Sequence, residues 1–476
     1  MKFFKSYINN GFINNIIWSI VGHGGTIFIN FFTNILFARL LTPEDFGMVA
    51  VLAMLVSIGS VLCDCGLSGA LVRKKNAGEV EYATVLAVNV RVALAIQILL
   101  LVFSPFYGSL YGKADMKYLI NASGVVILLQ SFYLTINVHQ IKELQFQKRA
   151  YERLIAALLA SVIAIVFALA VGGIWSVITY MIANPMFLII NHIIKKENKI
   201  TIRYSHKAFQ ELYPFGVNTT FSSLLIALYE NIFQFVMARY FSFVQVGYYY
   251  QAKKLQDVPC NLINMLTQNV FYARLSRIQD DMNKFITLFT RVLDHTTLLL
   301  GFLSTFLFIN AEFVIVTLFG EKWEGSVYYI KLLTIGSFFL YIDLIIRLVF
   351  KIYDKTRILL NVEIAKKIFQ GVMILIAIMQ KNIELLIMAI IVNNLLGATV
   401  NLILARKILD HNLNHIFFFT GKVILFSSML IALFTLMGMQ NIINNKAYQL
   451  ACIPALCGFY FIFSKNIKTS SYEFDQ

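Results

Sequence analysis

Eight ionisable side chains fall inside stretches that are otherwise apolar: Asp64, Arg91, Glu230, Lys253, Lys254, Asp257, Asp343 and Arg347. A charge at the centre of a bilayer costs about 2.5–3.5 kcal/mol on insertion scales, so such residues face a water-filled cavity or a partner. The cations have the chemistry of an anion site, because guanidinium and ammonium groups compensate phosphate charge and a guanidinium can do so in a bidentate fork. Arg91 has no acidic neighbour at helical spacing and is the foremost candidate for binding an anionic substrate; Lys253, Lys254 and Arg347 follow. The carboxylates Asp64, Glu230, Asp257 and Asp343 are candidates for balancing that charge or carrying a coupling ion. Lys253 with Asp257, and Asp343 with Arg347, stand four residues apart and can meet on one helix face. Two readings stay open for these pairs: cleft-lining groups, or ion pairs that let a helix insert.

Neutral polar residues extend the set. His23 lies in Gly22-His23-Gly24-Gly25, where glycine allows a kink or a close helix contact, and its imidazole either lines a cavity or packs in a hydrogen bond. Asn30, Asn34 and Gln234 suit interior positions with sugar hydroxyls as conceivable partners. The cysteines Cys63, Cys65, Cys260, Cys452 and Cys457 form no C-x-x-C pair and lie in or beside apolar segments, the pattern of small buried hydrophobes. No metal site, cofactor box or catalytic set is expected. The string from Gly108 to Lys113 has the wrong spacing for a phosphate-binding P-loop.

The elements that must position these groups follow from composition. The chain has 476 residues, 59% hydrophobic and only 14% charged, with a mean hydropathy of +0.72. Soluble domains carry about 25% charged residues, so this chain cannot coat a water-facing surface, and its surplus apolar area must face lipid. A soluble enzyme is excluded. The net charge of +15 is distributed in short clusters between apolar runs, the positive-inside pattern rather than the basic face of a nucleic-acid binder.

Runs of about 20 apolar residues, enough to cross a bilayer, number about 14: near 12–37, 46–70, 83–110, 118–140, 154–172, 174–194, 213–238, 247–271, 287–319, 327–350, 358–379, 384–405, 417–438 and 447–464. The N-terminal MKFFKSYINNGF resembles the basic start of a signal peptide, but no small-residue cleavage site follows, so it is expected to open the first membrane helix. With that end in the cytoplasm, alternate loops collect the basic residues. One holds Arg73, Lys74 and Lys75, the next Lys142, Lys148, Arg149 and Arg153, and the next Lys195, Lys196, Lys199, Arg203 and Lys207. A later one holds Lys351, Lys355, Arg357, Lys366 and Lys367. The alternation predicts both termini on the cytoplasmic side.

The chain also resembles itself 200 residues further on: Ala38-Arg39-Leu40-Leu41-Thr42 through Phe46-Gly47 matches Ala238-Arg239-Tyr240-Phe241-Ser242 through Val246-Gly247. Six helices separate the copies, which predicts a parallel repeat. The expected architecture is an all-α membrane protein with one six-helix lobe at 1–200, a second at 208–408, and two further helices with a short cytoplasmic tail at 415–476.

Three motifs resemble the bacterial polysaccharide flippases, the O-antigen, capsule and exopolysaccharide exporters of the MOP (MATE-like) superfamily. They are Phe37-Ala38-Arg39-Leu40-Leu41-Thr42-Pro43-Glu44-Asp45-Phe46-Gly47, Cys65-Gly66-Leu67-Ser68-Gly69-Ala70-Leu71-Val72-Arg73-Lys74-Lys75, and Gly247-Tyr248-Tyr249-Tyr250-Gln251-Ala252. The resemblance implies a carrier, not an enzyme, with a cationic cavity and two lobes in alternating access. Its cargo would be an undecaprenyl-diphosphate-linked oligosaccharide, moved from the cytoplasmic to the periplasmic leaflet of the bacterial inner membrane. It further implies a polysaccharide polymerase and chain-length proteins as partners. Cavity residues vary widely among these flippases, so no site set transfers.

Three rival readings remain, one of them a receptor or scaffold, which should not need several intramembrane charges in duplicated lobes. An ion-coupled multidrug or small-molecule exporter of the same superfamily would favour an acidic, aromatic cavity over the cations of Arg91 and Arg347. A membrane polysaccharide polymerase or ligase would need a sizeable periplasmic loop, and no loop between the expected spans exceeds roughly twenty residues.

Overall fold

The computed structural model describes residues 10–194, 202–267, 271–411 and 413–439, with 454 and 458 in addition. The expected span at 447–464 (apart from 454 and 458), both termini, Cys452, Cys457 and the basic residues Lys195, Lys196 and Lys199 lie outside the described residues. Among the described residues every regular element is a helix. It divides into two compact units, Met1–Gly247 and Tyr248–Gln476.

The first unit contains α1 (Asn10–Leu40), α2 (Pro43–Asp64), α3 (Leu67–Arg73), α4 (Glu79–Val102), α5 (Ser104–Tyr111), α6 (Met116–Lys142), α7 (Phe146–Ala170), α8 (Trp175–Ile194) and α9 (His206–Tyr240). The unit boundary falls inside α10 (Phe243–Leu266). The second unit continues with α11 (Tyr272–Ser276), α12 (Met282–Ile309), α13 (Ala311–Phe319), α14 (Gly325–Ile352), α15 (Thr356–Met379), α16 (Ile383–Leu409) and α17 (Asn414–Met439). Among the described residues, 11 helices are long and apolar enough to cross a membrane. Two other expected spans are helices of 24 residues each, α10 and α15, set apart from those 11 by the charges they carry: Lys253, Lys254 and Asp257 in α10, and Glu363, Lys366 and Lys367 in α15.

Helix α7 shows the solvent for which the fold is built. Ala156, Ala157, Ala160, Ala164 and Ala168 are buried, while Leu158, Leu159, Val162, Val166 and Leu169 are exposed. A water-soluble helix buries its large side chains; here small residues face neighbouring helices and large ones face outward, which is the packing logic of a bilayer. The protein is a multi-pass membrane protein.

Local chemistry starts and stops the elements. Thr42 caps α2 in a reciprocal box with Asp45: Asp45 N donates to Thr42 Oγ1 (3.3 Å) and Thr42 N to Asp45 Oδ2 (3.0 Å), with Pro43 in the first turn. At the far end Cys65 (φ 47°) and Gly66 (φ 64°) both adopt left-handed backbone and turn the chain into α3. There α9 comes so close that a Cβ on Gly216 would stand 2.6 Å from the Cys65 carbonyl. Just beyond α3, Lys74 bonds Glu211 (2.6 Å) and Glu81 (2.8 Å), which hold its ammonium above the usual lysine range.

The residues matched by the internal repeat meet in space. A Cβ on Gly47 would collide with the carbonyl oxygen of Phe243, and one on Gly247 with the carbonyl oxygen of Pro43. Residue 43 thus touches 247 as 243 touches 47, the reciprocity of a local two-fold relation. Only glycine tolerates backbone at this range.

Candidate functional site

In the first unit, glycine again sets the geometry. A Cβ on Gly22 would stand 2.5 Å from that of Ala150, and one on Gly25 would stand 2.6 Å from Leu154 Cδ2. The seam between α1 and α7 continues to a bond between the Thr33 and Ser161 hydroxyls (2.7 Å). Arg149 and Arg153 precede Ala150 and Leu154 by one residue each, so they leave α7 beside this seam and reach α6. Arg149 Nε donates to Asn137 Oδ1 (2.7 Å), and Arg153 donates through Nε to the Tyr133 hydroxyl (3.1 Å) and through Nη2 to Asn137 Oδ1 (3.2 Å). Glu152 turns elsewhere and accepts from Gln140 Nε2 (2.7 Å) in a buried position. Among the described residues, neither arginine takes part in an ion pair.

Arg153 lines two cavities, and Arg149 lines the smaller of them. A small one of about 100 Å³ is lined by His23, Trp18, Arg149 and Arg153. A larger one of about 370 Å³ is lined by Arg153, Tyr133, Gln130, Asn30, Tyr180 and Asn184, among others. Half-buried guanidinium groups held by a neutral amide and a phenol have no carboxylate beside them among the described residues to offset their charge. The chemistry available is recognition of an anion by charge-assisted hydrogen bonds.

The second unit contains a charged cluster of opposite design. Asp343 on α14 is 1% exposed and bonds Lys366 Nζ (3.0 Å) and Asn401 Nδ2 (2.6 Å). Lys366 also reaches Glu363 (3.1 Å), and Glu363 takes Arg347 (3.2 Å). Gly397 makes the approach of Lys366 possible, since a Cβ there would lie 2.5 Å from Nζ. This unit also holds an apolar cavity of about 380 Å³, with Phe308, Phe338, Phe339 and Ile424 in its wall.

The residues chosen from sequence are scattered. Arg91 is exposed on α4, with its guanidinium 4.9 Å from the centre of the Tyr204 ring. Asp64 ends α2 and accepts from the Ser68 hydroxyl, and Glu230 is exposed on α9. Lys253 and Asp257 do meet, at 3.8 Å, and Lys254 lies 4.9 Å from the Tyr250 ring centre. Asp343 and Arg347 do not pair with each other: each takes a partner on α15. Asn34 and Gln234 are buried. Sequence reasoning assigned Arg149, Arg153 and Lys366 to basic loops and passed over Glu363. Their positions three, seven, ten and seven residues inside α7 and α15 are the signal that was available. Among the described residues, no three His, Cys, Asp or Glu side chains converge on a point that could hold a metal ion.

The fold belongs to a known class. It superposes on a lipid II flippase, MurJ, in an inward closed conformation with a TM-score of 0.78 at 15% identity, covering 96% of this chain and 99% of that one. A multidrug resistance MATE family transporter of the MOP superfamily, in an inward-facing conformation, gives 0.60 at 16% identity over 82% of this chain and 98% of that one. The fold is therefore that of the all-helical MOP transporters. Residues 36–328 match the family described as Polysaccharide biosynthesis protein, and the chain belongs to that family. Its relatives include the succinoglycan biosynthesis transport protein ExoT of Rhizobium meliloti (strain 1021), 25% identical over 65% of this chain and 63% of ExoT. The lipopolysaccharide biosynthesis protein WzxC of Escherichia coli (strain K12) is 21% identical over 68% of this chain and 66% of WzxC. The alignments thus span somewhat under two thirds of these relatives' own lengths.

Proposed function

We propose that the protein moves undecaprenyl-diphosphate-linked oligosaccharide from the cytoplasmic to the periplasmic leaflet of a bacterial inner membrane, by alternating access, for cell-surface polysaccharide biosynthesis. The observation that supports this reading is the pair Arg149 and Arg153, without a carboxylate partner among the described residues, with Arg153 lining two cavities of a membrane-embedded helical unit. A diphosphate is the anion such a pair suits, since each guanidinium can grip one phosphate in a bidentate fork. The positive-inside pattern of Lys and Arg supports a cytoplasmic placement of both termini and of the first turns of α7, the side where the cargo would be made. In this reading Arg91 in the first unit, and Lys253, Lys254 and Arg347 in the second, are further cationic stations. Asp64, Glu230, Asp257 and Asp343 supply counter-charge or ion coupling. A polysaccharide polymerase and chain-length proteins take over the cargo outside.

The test is deletion of the gene in its own host, complemented with wild type or with Arg149→Ala/Arg153→Ala at matched expression. The expected result is accumulation of the lipid-linked oligosaccharide on the cytoplasmic side and loss of surface polymer, rescued by wild type and not by the variant. Unchanged surface polymer together with new drug sensitivity would replace the flippase with a multidrug exporter of the same fold.

A further inference from the structure

The larger cavity of the first unit is built differently from the arginine pair at its edge. Its wall is formed by α1, α6, α7 and α8, and apart from Arg153 its polar groups are uncharged: Thr26, Asn30, Gln130, Tyr133, Tyr180 and Asn184. Donors and acceptors are mixed. The Tyr180 hydroxyl donates to Asn30 Oδ1 (2.5 Å) and lies within hydrogen-bonding reach of Asn184. This leaves the Asn30 amide hydrogens as donors and an oxygen of Asn184 as an acceptor. Gln130 is held by the Ser60 hydroxyl. Pro185, inside α8, has no amide hydrogen, so the carbonyl of Met181 loses its intrahelical donor; both residues line the cavity. Two tyrosine rings, Tyr133 and Tyr180, supply flat apolar surface beside these groups.

Resting on the flippase reading, we propose that this cavity is the subsite for the sugar ring bonded directly to the diphosphate, and that Asn30, Tyr180 and Asn184 select it. A pyranose presents hydroxyls that both donate and accept, and it has apolar C–H faces. That matches mixed amide, hydroxyl and carbonyl groups beside aromatic rings, and it does not match a drug cation, which would call for a carboxylate. Arg153 lines this cavity and the smaller one alike, so a phosphate held there delivers its first sugar here. The volume of about 370 Å³ lies at the low end of the ~300–1,000 Å³ range of small-molecule sites. It admits one or two rings and excludes a whole repeat unit. Selection therefore acts on the phosphate-proximal sugar, and the outer sugars travel unread by this cavity.

The test uses the full-length protein in lipid nanodiscs and two sets of probes: geranyl diphosphate alone, and geranyl diphosphate bearing glucose, galactose, N-acetylglucosamine or N-acetylgalactosamine. Wild type is expected to bind bare geranyl diphosphate, and to bind at least one glycosylated probe about tenfold more tightly, the worth of one or two added hydrogen bonds. Asn30→Ala, Tyr180→Phe and Asn184→Ala should each erase most of that increment while leaving the affinity for the bare probe unchanged, which also shows that the variant is folded. Arg149→Ala/Arg153→Ala should weaken both probe sets together. If wild type binds the bare probe but no sugar adds affinity, or the three variants keep the increment, the sugar subsite is wrong and the diphosphate reading stands. If wild type binds neither probe, both fall.

Discussion

The first unit holds Arg149 and Arg153 with an amide and a phenol, whereas the second surrounds Lys366 and Arg347 with Asp343, Glu363 and Asn401. Both clusters place cations within helices that pack on one another, yet they solve opposite problems. In this second cluster Lys366 and Arg347 each have a carboxylate within 3.2 Å, which balances their charge where they stand. In the first, two like charges share one amide oxygen, an arrangement that costs stability and persists where the positive potential itself is used. A buried ion pair serves the fold; in the function proposed above, the arginine couple serves the cargo.

That contrast can be broken by four variants, in falling order of expected effect. Asp343→Ala removes the most deeply buried carboxylate of the network and leaves Lys366 with Glu363 alone. It should destabilise the solubilised protein by about 3 kcal/mol, and the double variant Asp343→Leu/Lys366→Met should recover most of that. A thermal-unfolding midpoint that does not move for Asp343→Ala would deny the network its structural role. Gly22→Leu next inserts a side chain where even a Cβ meets Ala150, at a cost of about 1–3 kcal/mol from overpacking. Because it wedges α1 from α7 beside the arginines, diphosphate affinity should fall too; preserved affinity would show that the glycine seam does not position them.

Arg153→Ala is expected to weaken geranyl diphosphate binding by about 2 kcal/mol, roughly thirtyfold, with Arg153→Lys intermediate because it keeps the charge and loses the fork. Its unfolding midpoint should stay level or rise, since a like-charge contact is relieved. A large drop would mean the pair is structural after all. Lys74→Ala breaks contacts to Glu211 and Glu81 at a partly solvated position, so a loss of at most about 1 kcal/mol, shrinking in high salt, is expected.

Much of the fold was legible from residues alone. The length and periodicity of apolar runs require membrane helices, because a backbone in lipid must satisfy its own hydrogen bonds. The motif around Gly47 announced its copy at Gly247, and the cap at Thr42 is local chemistry. The site was less legible. Arg149 and Arg153 flank an apolar run, and one-dimensional reading gives such residues to a loop; whether they face a cavity depends on which face of α7 meets α1. Likewise the four-residue spacing of Asp343 and Arg347 satisfies a rule for partners on one helix, but α15 offers each a better partner from across the interface.

The sequence by itself determined the solvent, the helices and the family, because hydropathy, caps and short motifs are carried by neighbours along the chain. Only the tertiary structure decided which cations are neutralised and which are available. That choice depends on carboxylates and amides brought from other helices, at distances of about 3 Å that no spacing along the chain encodes.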